Sequence, residues 1–463
     1  MNATRVSQTD LVVYALTALT AMAFGAFAAL GSGEWLVFVS ALALIGVLAF
    51  ALSESFMAPT LIAFAVLQFY LTIPGTSATI RGAFVFVVCV ALRAVLTKKL
   101  VWQKWMIPAS GFMLAALVAA LDAPNRYVAL KGVYDWSIVF LTIFAASMFA
   151  SSPRTHMALI AFGVLEAVLG LAQAWLGVDR VLDALRLPVS ELFLQPNLLR
   201  ERIAGLSFNW IVFDRALPFG NFINAIDYAV FLAAIASFAL AMLLTARTRR
   251  EIVVLAASMG VMGVALLLTF KGSGMIALLG GASVVAFKFL PRVSRRNAIL
   301  GIGVVFVVGL CALPFAGAFI ERITFLMARE LGAVSTTGRV AIWRDLVGVW
   351  TQHPWFGVGL NNAEAFVQPT PSLYGGAFTL VVPSAESAYV ATLIETGIAG
   401  FVALIALFSL ALARASNLGM RTATIALLVG NLTVAGFTTD QNGMILGWLI
   451  GTGMILQTSV ASE

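Results

Sequence analysis

The chain alternates long apolar runs with short polar joints. Taking about 20 apolar residues per crossing, runs near 11–30, 35–52, 59–74, 82–97, 105–121, 133–150 and 156–177 predict membrane-spanning helices. After a polar stretch at 178–222, further spans are expected near 224–245, 252–270, 274–290 and 298–320. A longer polar stretch at 321–385 precedes the last three, near 386–411, 422–438 and 442–459. The pattern therefore predicts an all-α polytopic integral membrane protein with about 14 transmembrane helices. In the second polar stretch Ile342, Leu346 and Val349 recur at helical spacing, and Arg339, Trp343 and Trp350 also fall at turn-like intervals. This predicts an amphipathic helix lying on the outer membrane surface, its arginines on the polar side.

Composition supports that reading. Of 463 residues, 61% are hydrophobic and 11% charged, against roughly 25% charged in a soluble domain. Met1–Asp10 is too polar for a signal peptide, so Leu11–Leu30 is expected to be a retained span. The net charge of +7 is spread over short loops and records membrane orientation rather than nucleic-acid binding. Lys98, Lys99 and Lys104 share one loop, Arg247, Arg249 and Arg250 a second, and Arg292, Arg295 and Arg296 a third; Arg414 and Arg421 flank a fourth. All fall on one side, which the positive-inside rule makes cytoplasmic, with both termini there and 178–222 and 321–385 outside. No linker or repeat divides the chain, so residues 1–463 are expected to form a single transmembrane domain. Cys89 and Cys311 lie in apolar runs as packing residues.

Three ionisable residues fall inside spans, where charge is expensive. Arg93 is near a cytoplasmic end and is expected to snorkel. Asp135 follows Lys131 by four residues, a spacing that permits an internal pair. Glu166 is deeper, and both a functional role and a buried structural one remain open for it. A transporter reading would rest on these three.

The outer stretches carry the motifs. Arg200-Glu201-Arg202-Ile203-Ala204-Gly205 and Asp214-Arg215-Ala216-Leu217-Pro218 lead into the span near Asn224 and Asp227. Lys271 stands at a span end in Thr269-Phe270-Lys271-Gly272-Ser273-Gly274. Arg339 and Trp343 form an Arg-x-x-x-Trp pair, and His353-Pro354 through Gly357-Val358-Gly359 a His-Pro-x-x-Gly-x-Gly turn. Glu395-Thr396-Gly397-Ile398-Ala399-Gly400 follows inside the next span. Taken together and in this order, over about residues 200–400, these motifs resemble the O-antigen ligase and Wzy-type polysaccharide polymerase superfamily.

The resemblance implies a GT-C-like layout in the bacterial inner membrane, multi-pass, with the active site on the periplasmic side. It implies inverting, metal-independent transfer of a glycan from undecaprenyl pyrophosphate to a sugar hydroxyl, without a cofactor. The implied partners are the lipid-linked glycan donor, a glycan acceptor, the lipid bilayer and a chain-length regulator, with no nucleic acid. The pyrophosphate leaving group calls for arginines, which are always charged and grip two oxygens at once. The candidates are Arg339, Arg215, Arg202 and Arg344, with Lys271 in addition. Arg202 and Arg215 both fit the arginine that the family places before a transmembrane helix. Lys271 departs from the Thr-x-Ser-Arg-Gly run seen there in family members.

In the ligase branch a His-Asn pair opens the helix that ends in Glu-x-Gly-x-x-Gly. Here that register holds Glu386 and Ser387, so Glu386 takes the general-base position and joins Arg339 and Arg215 as a catalytic candidate. The alternative for Glu386 is a helix-terminal carboxylate, with Ser384 as the cap. The two histidines, His156 and His353, fall at a cytoplasmic helix start and in the turn motif. The missing family histidine favours a polymerase of oligosaccharide repeat units over an O-antigen ligase; a lipid-oligosaccharide flippase is the reading from another class.

Overall fold

The computed structural model describes residues 33–67, 70–72, 79–97, 103–148, 153–177, 180–181, 211–212, 215–216, 218, 222, 225–269, 271–289, 336–366, 370–374, 377–381, 385, 387–415, 417–434, 437 and 440–454. The helices among these are α1 Gly33–Ala51, α2 Glu54–Leu67, α3 Gly82–Thr97, α4 Met106–Leu121, α5 Arg126–Ser147, α6 Pro153–Leu176 and α7 Ala225–Thr245. The series continues with α8 Arg249–Leu268, α9 Gly272–Phe289, α10 Thr336–Gln352, α11 Ala388–Arg414, α12 Leu418–Gly430 and α13 Asp440–Gly453. Three antiparallel hairpins accompany them: β1 Tyr70–Thr72 with β2 Thr79–Arg81, β3 Ile211–Val212 with β4 Arg215–Ala216, and β5 Thr370–Tyr374 with β6 Ala377–Val381.

The fold is all-α and polytopic: α5, α7, α8, α11 and Thr155–Leu176 of α6 are long and apolar enough to cross a membrane, and the shorter apolar helices pack among them. Every described helix except α10 overlaps an expected span, while the runs near 11–30 and 298–320 lie outside the described residues. The expected span at 59–74 is corrected: the helix ends at Leu67, and Tyr70–Thr72 pairs with Thr79–Arg81. Pro59 sits inside that helix, and the β-branched and aromatic residues beyond it suit a short strand.

Helix α7 is the bundle's centre, buried along nearly its whole length and surrounded by α6, α8, α9 and α12. Its alanine-rich surface admits close neighbours. A Cβ built on Gly281 of α9 would lie 2.6 Å from Ser237 Cβ, and one on Gly430 of α12 would lie 2.8 Å from Val230 Cγ1. Small residues at such crossings let backbones approach, which is how helices associate when lipid removes the hydrophobic drive.

The basic joints gather at one end as far as their described residues show. Gln103, before α4, bonds Ser147 at the end of α5; His156 of α6 meets Phe238 edge-on. Phe238 also abuts Gly419 at the start of α12, and Ala415 abuts Gly453 at the end of α13. Arg93 corrects the expectation of snorkelling. It is buried, and Nη1 donates to the carbonyls of Ala49 (3.0 Å) and Leu52 (2.6 Å), capping the C-terminal end of α1. Asp135 does not use Lys131, which is exposed. It pairs with Arg81 at 3.5 Å, because the first hairpin delivers that arginine to α5.

Candidate active site

At the other end, the turn after α10 is spliced into α11. Helix α11 breaks at Gly397, whose φ of 63° and ψ of −169° lie outside the helical region. In an unbroken helix Ile398 N–H would bond Ile394 O and Ala399 N–H would bond Glu395 O. Here Ile398 N donates to Pro354 O (2.9 Å) and Ala399 N to Trp355 O (3.1 Å). The freed carbonyls accept in return: Val358 N bonds Ile394 O at 3.1 Å, and Gly359 N bonds Glu395 O at 2.9 Å.

The glycines of both motifs are required by this contact. Gly357 (φ +73°) would place a Cβ 2.5 Å from the Glu395 carbonyl carbon, and Gly397 would place one 2.5 Å from Phe356 N. Glu395 completes the clasp. Buried in α11, it accepts hydrogen bonds from the backbone N–H groups of Asn361 and Ala363. Its carboxyl group thereby satisfies two convergent N–H groups that would otherwise be buried without an acceptor. Asn362 then ties the turn to the α4–α5 joint, accepting from Asn125 N (3.0 Å) and donating to Asn125 O (3.3 Å).

Helix α10 lies against this assembly. Leu346 is buried with Val358, Ala363, Ala385 and Ile394, and Ile342, Val349 and Trp350 pack around them. The amphipathic pattern is therefore as expected, but its apolar face is covered by protein and not by lipid. Trp343 Nε1 donates to Ala385 O at 2.8 Å, tethering α10 to the residue before Glu386. On the far side, Ala388 N donates to Asn431 O (3.1 Å) and Val434 O (2.7 Å). The start of α11 is thus held from α10 and from the end of α12.

The candidates fall unevenly on this frame. Glu386 and Arg202 lie outside the described residues. Ser387 is the N-cap of α11, with φ −159° and ψ 123°, and makes no side-chain cap bond. Position 386 thus precedes the N-cap position, and Ser384 lies outside the described residues. Arg339 is in α10, one helical turn before Trp343, which places the two on one face; the Arg339 side chain lies outside the described residues. Arg344 is exposed on α10.

Arg215 is in β4, paired with Val212; Phe222, shortly before α7, packs on Phe231 and anchors that approach. Lys271 is half-buried between α8 and α9, its N–H donating to Thr269 Oγ1 at 3.3 Å. A Cβ on Gly430 would approach Ala277 of α9, so α9 opens at the end where α12 meets Ala388. The structure brings α10 and the α11 start into contact and sets Lys271 at the same end. Among the described residues no three His, Cys, Asp or Glu side chains gather as a metal would need.

Residues 257–405 match the family model described as O-antigen ligase. Over that span the chain is similar to that family. The protein is a multi-pass membrane protein. No curated protein matches the chain. The matched span begins in α8 and ends within α11, so it contains Lys271, α10, the spliced turn and Gly397.

Sequence reasoning had placed Glu395 only within a motif. Its signal was there: a carboxylate in an apolar span, two residues before a glycine. His353 has an exposed ring, and its backbone does the visible work, with N–H donating to Trp350 O and O accepting from Gly357 N, both at 3.0 Å.

Proposed function

We propose that the protein polymerises undecaprenyl-pyrophosphate-linked oligosaccharide repeat units into a surface or secreted polysaccharide at the periplasmic face of the bacterial inner membrane. The observation that carries this reading is the clasp at the start of α11: Trp343 binds Ala385 O from the helix that bears Arg339 and Arg344. Glu386 is the next residue in the chain after Ala385, which supports its assignment as the base.

In the proposed reaction an acceptor hydroxyl attacks the anomeric carbon of the donor sugar. A C–O bond forms as the bond to the pyrophosphate oxygen breaks on the opposite face, inverting the centre. Glu386 takes the hydroxyl proton, and the undecaprenyl pyrophosphate departs with the electron pair. Arg339 and Arg215, with Arg344, Arg202 and Lys271 in support, stabilise the growing negative charge. Preorganised donors aimed at such charge are worth several kcal/mol.

The description of the matching family favours a second reading, ligation of a finished lipid-linked glycan to lipid A-core. Glycans left in cells lacking the protein separate the two: single lipid-linked units mark a polymerase, and unattached polymer on lipid marks a ligase. Glu386→Gln tests the mechanism under either outcome. A lost base should cost on the order of 10²–10⁴ in rate with donor binding retained, measured on purified protein with lipid-linked donor. Near-normal turnover would remove Glu386 from the chemistry.

A further inference from the structure

The turn between α10 and α11 has two faces. Its backbone is consumed by the splice, while two aromatic side chains point away from it: Trp355 is 67% exposed and Phe356 44%. Two adjacent large aromatics exposed in water are unfavourable, so something covers them.

Their height identifies the cover. Trp355 O accepts from Ala399 N, which fixes the turn to α11 near Gly397. From Arg414, at the basic end of α11, back to Gly397 is about 26 Å of helix. A bilayer's hydrocarbon core is about 30 Å thick. The aromatic pair therefore meets the membrane where hydrocarbon gives way to headgroups, the level at which Trp is enriched.

Two further observations agree. Below the turn, α11 exposes Val402 and Ile405, and its neighbour α4 exposes Leu117 and Leu121, so the pair continues an apolar membrane-facing surface. At the same end of neighbouring spans stand Tyr127 (79% exposed, at the start of α5) and Trp175 (72%, at the end of α6). Tyr127 is two residues from Asn125, which Asn362 of the turn grips.

We propose that Trp355 and Phe356 insert into the lipid headgroup region and set the height of α10 above the membrane. The apolar face of α10 is already covered by protein, so the turn makes the lipid contact that the helix does not. Through the splice, the same anchor is tied to the break in α11. Such an anchor is independent of the proposed glycosyl transfer.

The test is a depth measurement in liposomes that needs no glycan. With Cys89 and Cys311 changed to serine, Trp355→Cys, Phe356→Cys and Gln352→Cys are each labelled with a polarity-sensitive fluorophore. Spin-labelled phospholipids, carrying the label at the headgroup or deep in the acyl chain, serve as membrane quenchers and iodide as the aqueous one. The expected result is at least twofold stronger quenching by headgroup-labelled lipid at 355 and 356 than at 352, with iodide showing the reverse order. Equal iodide quenching at all three positions would overturn the proposal by placing the turn in water. Quenching by neither agent at 355 and 356 would overturn it too, by showing the pair covered by protein.

Discussion

Helices α8 and α11 are both long apolar spans, yet they treat their backbones in opposite ways. Helix α8 is self-sufficient. Thr248 caps it with a reciprocal capping box to Glu251, satisfying donors that a helix start otherwise leaves orphaned. Helix α11 opens itself at Gly397 and gives two carbonyls and two N–H groups to residues 354–359. In lipid an unsatisfied backbone group costs several kcal/mol, so a broken span persists only where protein replaces the lost bonds. The contrast distinguishes a helix that only crosses the membrane from one that also holds the turn of residues 354–359.

The sharpest way to break the contrast is a methyl group on a glycine of each helix. Gly397→Ala must hold alanine at positive φ and drive Cβ into the Trp355–Phe356 backbone. It should cost on the order of 3–5 kcal/mol and abolish transfer. Gly260→Ala in α8 meets nothing within 4 Å and should be neutral or stabilise by up to about 1 kcal/mol. Thermal unfolding of both variants in detergent, followed by turnover, checks the pair. Equal losses would mean that the break in α11 is not a special site.

A smaller effect is expected from the two glutamates. Glu395→Gln keeps the shape but replaces one oxygen acceptor by an NH₂ group facing the Asn361 and Ala363 N–H donors; a cost of about 1–3 kcal/mol follows. Glu251→Gln still completes a capping box and loses only its charge at a solvent-exposed helix start, so its effect should be the smaller of the two. Protease sensitivity of the 353–366 segment should rise in the first variant alone.

The smallest difference lies within α10. Trp343→Phe leaves Ala385 O without its Nε1 donor and should cost about 1 kcal/mol and reduce transfer. Trp350 Nε1 is buried with no hydrogen-bond partner among the described residues, so Trp350→Phe should be neutral or slightly stabilising. Unfolding midpoints and turnover measured side by side separate a tether from packing.

What could be read from the chain follows from the range of the forces involved. The limits of α3, α4 and α7 emerge from hydropathy because lipid imposes length and composition on a span locally. The apolar face of α10 emerges from periodicity, but its cover does not, since periodicity says that a face is buried and not by what. The sequence offers Asp135 a pair only with Lys131, because helical spacing is the only proximity a linear pattern provides. Its partner Arg81 arrives through a hairpin that the apolar run near 59–74 concealed. At the site, the glycines and Glu395 stood out as motifs. Their reciprocal bonding did not, because each half is intelligible only against the other.

The splice also constrains how α11 is assembled. Helix α11 exchanges two intrahelical bonds for four bonds to residues 354–359, so an α11 that closed its own 394–398 and 395–399 bonds would have the same four backbone groups satisfied. The broken form is satisfied only with the turn in place: without residues 354–359, the carbonyls of Ile394 and Glu395 and the N–H groups of Ile398 and Ala399 would lack these partners.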